Sequence, residues 1–285
     1  MPLLKSLRGS LMCELLQVSR SGFYGWSDHN ISARKAQRDY EIKRLMEDIF
    51  KGSRQTYGSP RMFEMLKAMN VVISENRVAK LMREMDIFRK KKKIFKVKTT
   101  DSKHSEPVAE NKLGQNFAVT KPNEVWLSDL TYVGTEEGWL YLVTVMDLYS
   151  RKIIGWSFSE NLEAIHTRKA VEMAYNAQNR PSGVIFHSDR GIQYACKDFR
   201  SLIASYGFIQ SMSRRGSCYY NAPMESFFHT LKTEFVYRQK FEYIEQGKSE
   251  IFEWIECFYN RKRIHSSLGY KTPVATMEGY MLTAA

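Results

Sequence analysis

Nothing in this sequence is spaced for a disulfide frame or a zinc ion. Its four cysteines, Cys13, Cys196, Cys218 and Cys257, show no C-x-x-C spacing, and its six histidines are scattered. A disulfide scaffold and a zinc finger are both excluded on that ground, and the thiols read as reduced, in a cytoplasmic protein. No run approaches the roughly 18 apolar residues that a membrane-spanning helix needs. Lys5 and Arg8 precede an apolar patch, but Glu14 interrupts it and no small-residue cleavage site follows, so no export signal is expected. A long heptad repeat is also missing.

What the chain has in excess is positive charge, unevenly placed. Its 285 residues are 43% hydrophobic, enough for a real core and roughly two domains. The net charge is +12; residues 1–120 hold 24 Lys and Arg against 13 Asp and Glu, and the remaining 165 hold 19 against 18. A basic part joined to a near-neutral part suggests a nucleic-acid grip attached to a catalytic module. The run from Arg89 to Lys98 has seven basic residues in ten, Lys90, Lys91, Lys92 and Lys93 among them, and is expected to contact phosphates.

Three carboxylates stand in unusual contexts. Asp129 lies inside the strand-like run Val125 to Val133, Asp189 ends the apolar run Val184 to Ser188, and Glu225 opens the helix-like stretch Met224 to Phe235. Acids are depleted in strands and costly to bury unpaired, and nothing basic beside the two aspartates is expected to pair with them. Three hard oxygen donors suit magnesium or manganese. Each acid alone also has an ordinary explanation: Asp189 before Arg190-Gly191 as a turn residue, Glu225 as a carboxylate at a helix's positive end.

The strings Ser128-Asp129-Leu130-Thr131-Tyr132, His187-Ser188-Asp189-Arg190-Gly191-Ile192-Gln193-Tyr194 and Asn221-Ala222-Pro223-Met224-Glu225-Ser226-Phe227-Phe228 resemble the integrase core of bacterial insertion-sequence transposases. More narrowly they look like the OrfB product of the IS-three family, whose catalytic acids are Asp, Asp and, 35 residues later, Glu; here 35 residues separate Asp189 from Glu225. The likeness continues through Tyr259-Asn260-Arg261 and His265 to Pro273, and back through Tyr57 to Arg61 and Ser74 to Val78. It implies a DNA transposase that nicks the element's ends and joins the free 3′-hydroxyl to another strand, with two magnesium or manganese ions held by Asp129, Asp189 and Glu225. Asp129 would bridge them, and two metals roughly 3.5–4 Å apart would clamp the attacking and leaving oxygens. The resemblance further implies an upstream OrfA product as fusion or partner, a homo-oligomer on DNA, nucleoid association, and a DNA-contact role for the basic residue seven beyond the glutamate, Lys232. The His/Cys zinc module of retroviral integrases is missing, as is any Ser- or Tyr-recombinase pattern.

The expected fold is α/β: a ribonuclease-H-like mixed sheet with flanking helices, preceded by an all-α, helix-turn-helix-like region. Four segments follow: a helical DNA-binding region with its basic run (1–98), a linker (99–123), the catalytic core (124–237), and a C-terminal helix and tail (238–285). In the first, Leu11, Leu15, Leu16 and Val18 make a short stripe, Ser19 caps a second short helix, and Ile42, Leu45, Met46, Ile49 and Phe50 mark a third. Two further helices, Pro60 to Met69 and Glu75 to Met85, form the helix-turn-helix, the second offering Asn76, Arg77, Lys80 and Arg83 to solvent. Strands at Val125–Val133, Trp139–Met146 and Ile153–Phe158 read as an antiparallel meander followed by βαβ units. On the glutamate helix, Asn221 is the expected cap, Met224, Phe227, Phe228, Leu231 and Phe235 the buried stripe, and Glu225, His229 and Lys232 a shared face. Arg214 and Arg215 are placed to brace the active-site loop or DNA, and Asp147 reads as a turn acid. One departure from the family pattern keeps a decayed transposase open: Tyr220 stands before Asn221, where the family usually has Asp. A stand-alone nuclease and a non-enzymatic DNA-binding protein stay open beside it.

Overall fold

A computed structural model describes residues 9–88, 106–114, 116–161, 163–213 and 221–284, in two compact units, Met1–Arg89 and Lys90–Ala285. Lys90, Lys91, Lys92, Lys93, Arg214, Arg215 and Tyr220 lie outside the described residues.

The first unit is all helical: α1 (Gly9–Leu15), α2 (Arg20–Gly52), α3 (Ser59–Ala68) and α4 (Glu75–Glu84). Ser19 caps α2 as expected, its hydroxyl accepting from the Gly22 N–H at 3.0 Å. The two helices expected after it are one helix of 33 residues. No proline falls between Pro2 and Pro60 to stop it, and residues 32–38 are exposed, so no apolar stripe advertises its continuity. Ile42, Met46 and Ile49 are buried, whereas Leu45 faces outward. The Leu11, Leu15, Leu16 and Val18 stripe is exposed too, while Cys13 of α1 is buried. α3 and α4 bury Met62, Leu66, Val78, Leu81 and Met82. Ser74 caps α4 by accepting from the Arg77 N–H. Asn70, in the link between them, sits at φ 59°, a left-handed conformation that Asn tolerates.

The second unit is built on a five-stranded sheet in the order β3-β2-β1-β4-β5: β1 (Val125–Gly134), β2 (Trp139–Asp147), β3 (Ile153–Ser159), β4 (Ile185–Ser188) and β5 (Ile209–Met212). The first three are antiparallel, as expected; β4 and β5 add in parallel. Helices α5 (Ala164–Ala177), α6 (Ile192–Ala195) and α7 (Lys197–Ser205) contribute to one core, and α8 (Ala222–Glu234) with α9 (Ile244–Glu253) to another. Neighbouring strand residues serve different cores, Trp126 the first and Leu127 the second, as the two-residue period of a strand requires. This is the mixed sheet with flanking helices that the pattern predicted.

Three features fix the sheet's surroundings. Gly155 on β3 lets α5 approach so closely that a Cβ there would lie 2.2 Å from the Ala170 carbonyl oxygen. α9 continues into a π-helical stretch, Trp254–Tyr259, whose Trp254, Ile255, Phe258 and Tyr259 join the α8 core. Asn260 then spans the backbone of edge strand β3: Ile153 N–H donates to its Oδ1 and its Nδ2 donates to the Ile153 carbonyl, each at 3.0 Å. That side chain covers backbone groups which an open edge would expose. The described residues of 106–123 form no strand or helix, yet bury Leu113 in the α8-side core. α10 (Pro273–Ala284) ends the described chain.

Candidate active site

Register brings the two aspartates together. β1 and β4 pair in parallel, with Trp126 beside Phe186 and Leu127 beside His187. Asp129 and Asp189 each lie two residues further along, at the same level on adjoining chain segments and with the same strand parity. Asp189 also serves its turn, since its Oδ1 accepts from the Gly191 N–H at 2.9 Å. The turn explanation of Asp189 therefore holds for that oxygen.

Glu225 arrives on α8, in the helix's first turn. Met224, Phe227, Phe228, Leu231 and Phe235 are buried as expected, and Glu225 and His229 are exposed on another face. Asn221 departs from its expected job. It makes no side-chain cap; instead its Nδ2 donates to the Ser128 carbonyl at 3.2 Å. The start of α8 is thereby tied to the residue preceding Asp129. Under the same strand, Tyr194 is fully buried and its hydroxyl stands 2.9 Å from the Ser128 Oγ. Ser128 donates to the Thr144 carbonyl, so its single hydroxyl proton is committed and Tyr194 is the donor between them.

The electrostatics bind these pieces into one neighbourhood. Asp129 keeps some open surface, but protein atoms crowd it deeply. Burial pushes its carboxyl well above the ordinary range, and the charges of Asp189 and Glu225 push it further. Lys232 opposes them: burial lowers its ammonium while the Asp129 charge raises it. Asp129 thus meets a cation from outside its own strand, two turns along α8 from Glu225. Burial, Asp129 and Asp189 likewise raise the Tyr194 phenol. Among the described residues, no three His, Cys, Asp or Glu side chains are grouped closely enough to hold an ion. The three acids share a field without forming a closed ligand set. Their donor chemistry fits a hard divalent cation, which would relieve the repulsion that raises Asp129.

A stability prediction follows from the sign of that shift. An acid raised in the folded state holds its proton there more tightly than in the unfolded chain, so stability falls as pH climbs from the ordinary carboxylate range through the raised value. Asp129→Asn removes this loss. Without divalent ions, the variant is expected to melt above the wild type in mildly alkaline buffer, with the gap shrinking in acid. Equal melting temperatures in alkali would rule the account out.

Other expected site residues are placed less centrally. Arg77 is half-buried and ion-paired with Asp39, because α2 and α4 lie against each other; Lys80 and Asn76 are exposed. Lys43 and Glu84 make a second ion pair in this unit, at 2.8 Å. Asp147 is fully buried and accepts from Asn123 N, Ser150 N and Ser150 Oγ at 2.8, 2.9 and 2.7 Å, a turn acid as expected. Sequence reasoning assigns no role to Tyr194, Tyr132 or Trp139. Nothing local singles them out, and only tertiary structure brings Tyr194 to Asp129 and Tyr132 to Lys232.

Known proteins match both units. The integrase core domain family matches residues 119–218 and 225–275, and an HTH-like domain family matches residues 37–95. The chain is 44% identical, over 96% of its length and 100% of the relative's, to the insertion element IS600 uncharacterized 31 kDa protein of Shigella sonnei. It is 39% identical, over 92% of its length and 91% of the relative's, to transposase InsF for insertion sequence IS3A of Escherichia coli. Among solved structures it is similar to the HTLV-2 integrase catalytic core domain in complex with magnesium, with 14% identity and a TM-score of 0.44, covering 56% of this chain and 99% of that one. The sheet, the paired aspartates and the insertion-element relatives converge: the chain belongs to the IS3 family of insertion-sequence transposases, with an integrase core and an HTH-like domain.

Proposed function

We propose that this transposase nicks the ends of its insertion sequence and joins the freed 3′-hydroxyl to another DNA strand. Asp129, Asp189 and Glu225 would hold two divalent ions, magnesium or manganese. The observation that carries the reading is the shared field of the three acids, two at adjoining chain levels and one on a helix tied to Ser128. Bound divalent ions would supply Lewis-acid stabilisation of the charge that grows on the attacking and leaving oxygens. The chain's own groups do the rest. Lys232, held beside Asp129, presents a cation to a neighbouring phosphate. Tyr194 and Asn221 keep Ser128, and so β1, in register with α8. One site serves both steps, because only the attacking oxygen changes from water to a DNA 3′-hydroxyl.

DNA is the partner, gripped by the helical unit through Arg77 and Lys80 and by the basic run, with Arg214 and Arg215 as further contacts. An upstream OrfA product, fused or separate, and a homo-oligomer on DNA complete the assembly. Changing Lys90, Lys91, Lys92 and Lys93 to neutral residues is expected to weaken binding to every sequence. It should also flatten the salt dependence by roughly 0.9 of a log unit for each phosphate the run neutralises. An unchanged slope would remove the run from the interface.

The direct experiment incubates the full chain, and its OrfA fusion, with oligonucleotides carrying the element's ends. Nicking and joining are expected with magnesium or manganese and not with calcium. No cleavage by either protein in any metal would leave the decayed-copy reading, which rests on Tyr220.

A further inference from the structure

Lys232 links Asp129 to an aromatic pair that the chemistry above does not use. Tyr132 follows Asp129 by three residues on β1, and the Lys232 ammonium stands 4.7 Å from its ring centre. Trp139, at the start of β2, meets Tyr132 edge to face at 5.0 Å. Its ring lies over Gly134, the residue opposite in register, where a Cβ would be 3.5 Å from the indole. Trp139 is nevertheless 53% exposed. Gly134 and Tyr132 therefore seat the indole from within while leaving much of it open.

We propose that Tyr132 and Trp139 form a stacking platform for an unpaired base at the DNA end, an inference that rests on the reading of the site as DNA-processing. Charge separates this from a phosphate grip. The turn joining the two strands carries Glu136 and Glu137, which repel a phosphate backbone, whereas aromatic rings accept the face of any base. Lys232, on the Asp129 side of Tyr132, takes the phosphate instead. At about 3.3 Å per strand residue, Tyr132 lies roughly 10 Å and Gly134 roughly 17 Å along β1 from Asp129. Tyr132 and Gly134 have the opposite strand parity to Asp129, so the Lys232 side chain is what joins the platform to the acids. A base offers its face to the platform only once it is unstacked from the end.

The test measures anisotropy of the full chain on two labelled duplexes, one flush and one with a short unpaired terminus, in calcium so that cleavage does not intrude. Trp139→Ala is expected to weaken binding to the unpaired terminus by roughly 5- to 150-fold, leave the flush duplex nearly unchanged, and be largely rescued by Trp139→Tyr. Equal loss on both duplexes, or no loss, overturns the platform. So does a changed sedimentation coefficient for the variant without DNA, which would make the surface a contact between copies of the chain. A wild type that prefers the unpaired terminus but never cuts in magnesium would sink the catalytic reading and leave the platform standing.

Discussion

Asp129→Asn, Asp189→Asn and Glu225→Gln should each lower nicking and joining by on the order of 10³-fold or more, while binding to end-containing DNA stays close to wild type. Such a loss corresponds to about 4 kcal/mol of transition-state stabilisation, within the several kcal/mol that positioned divalent ions contribute. Each substitution keeps the side chain's shape and removes one of the three proposed anionic ligands. Asp129 should be the most severe of the three. It is the acid on which the fields of the other two converge and against which Lys232 is held. Gel assays of nicked and joined products, with binding measured alongside, give the answer. Full joining activity in any one variant would remove that residue from the catalytic set.

The second large effect is on stability. Arg263 and Glu234 form a two-pronged ion pair, Nε to Oε2 at 2.7 Å and the second nitrogen to Oε1 at 2.9 Å, with side chains only 3% and 2% exposed. Arg263→Met would strand the Glu234 carboxylate in the interior, at a cost of about 3–5 kcal/mol. In a unit of this size that lowers Tm by roughly 6–20 °C. The double variant Arg263→Met/Glu234→Leu should recover most of the loss, because it removes the buried charge together with its partner. Arg263→Lys should not, since an ammonium cannot reproduce the planar fork. Melting curves for the three proteins decide it. A single variant that melts with the wild type would show that solvent reaches the glutamate.

How much was legible in the sequence follows the range of each interaction. Strands β1 to β3 are readable because their short β-branched and aromatic runs are bounded by Gly134, Gly138 and the turn at Asp147. α4 is readable from Ser74, a cap acting over three residues. The unbroken length of α2 is not, because a helix whose middle is exposed leaves no periodic trace. Asp129, Asp189 and Glu225 stand out through their flanking strings. The supports around them do not: Asn221 reaches back 93 residues to Ser128, Tyr194 reaches back 66 to the same residue, and Asn260 reaches back 107 to Ile153. Asn221 shows the limit most clearly. Local chemistry makes it a cap, and a carbonyl on a distant strand takes its amide instead.

The Arg263–Glu234 pair also has a meaning in the order of synthesis. Both aspartates and their strands leave the ribosome well before residue 263, and α8 with Glu225 follows them. Until Arg263 emerges, the fork that holds Glu234 cannot form, and Asn260 has only just arrived to close the edge of β3. Catalytic competence is thus completed late, whereas the helical unit is finished early. On the proposed division of roles, interrupted translation would release fragments that hold DNA without cutting it, and these would compete with intact copies for the same ends.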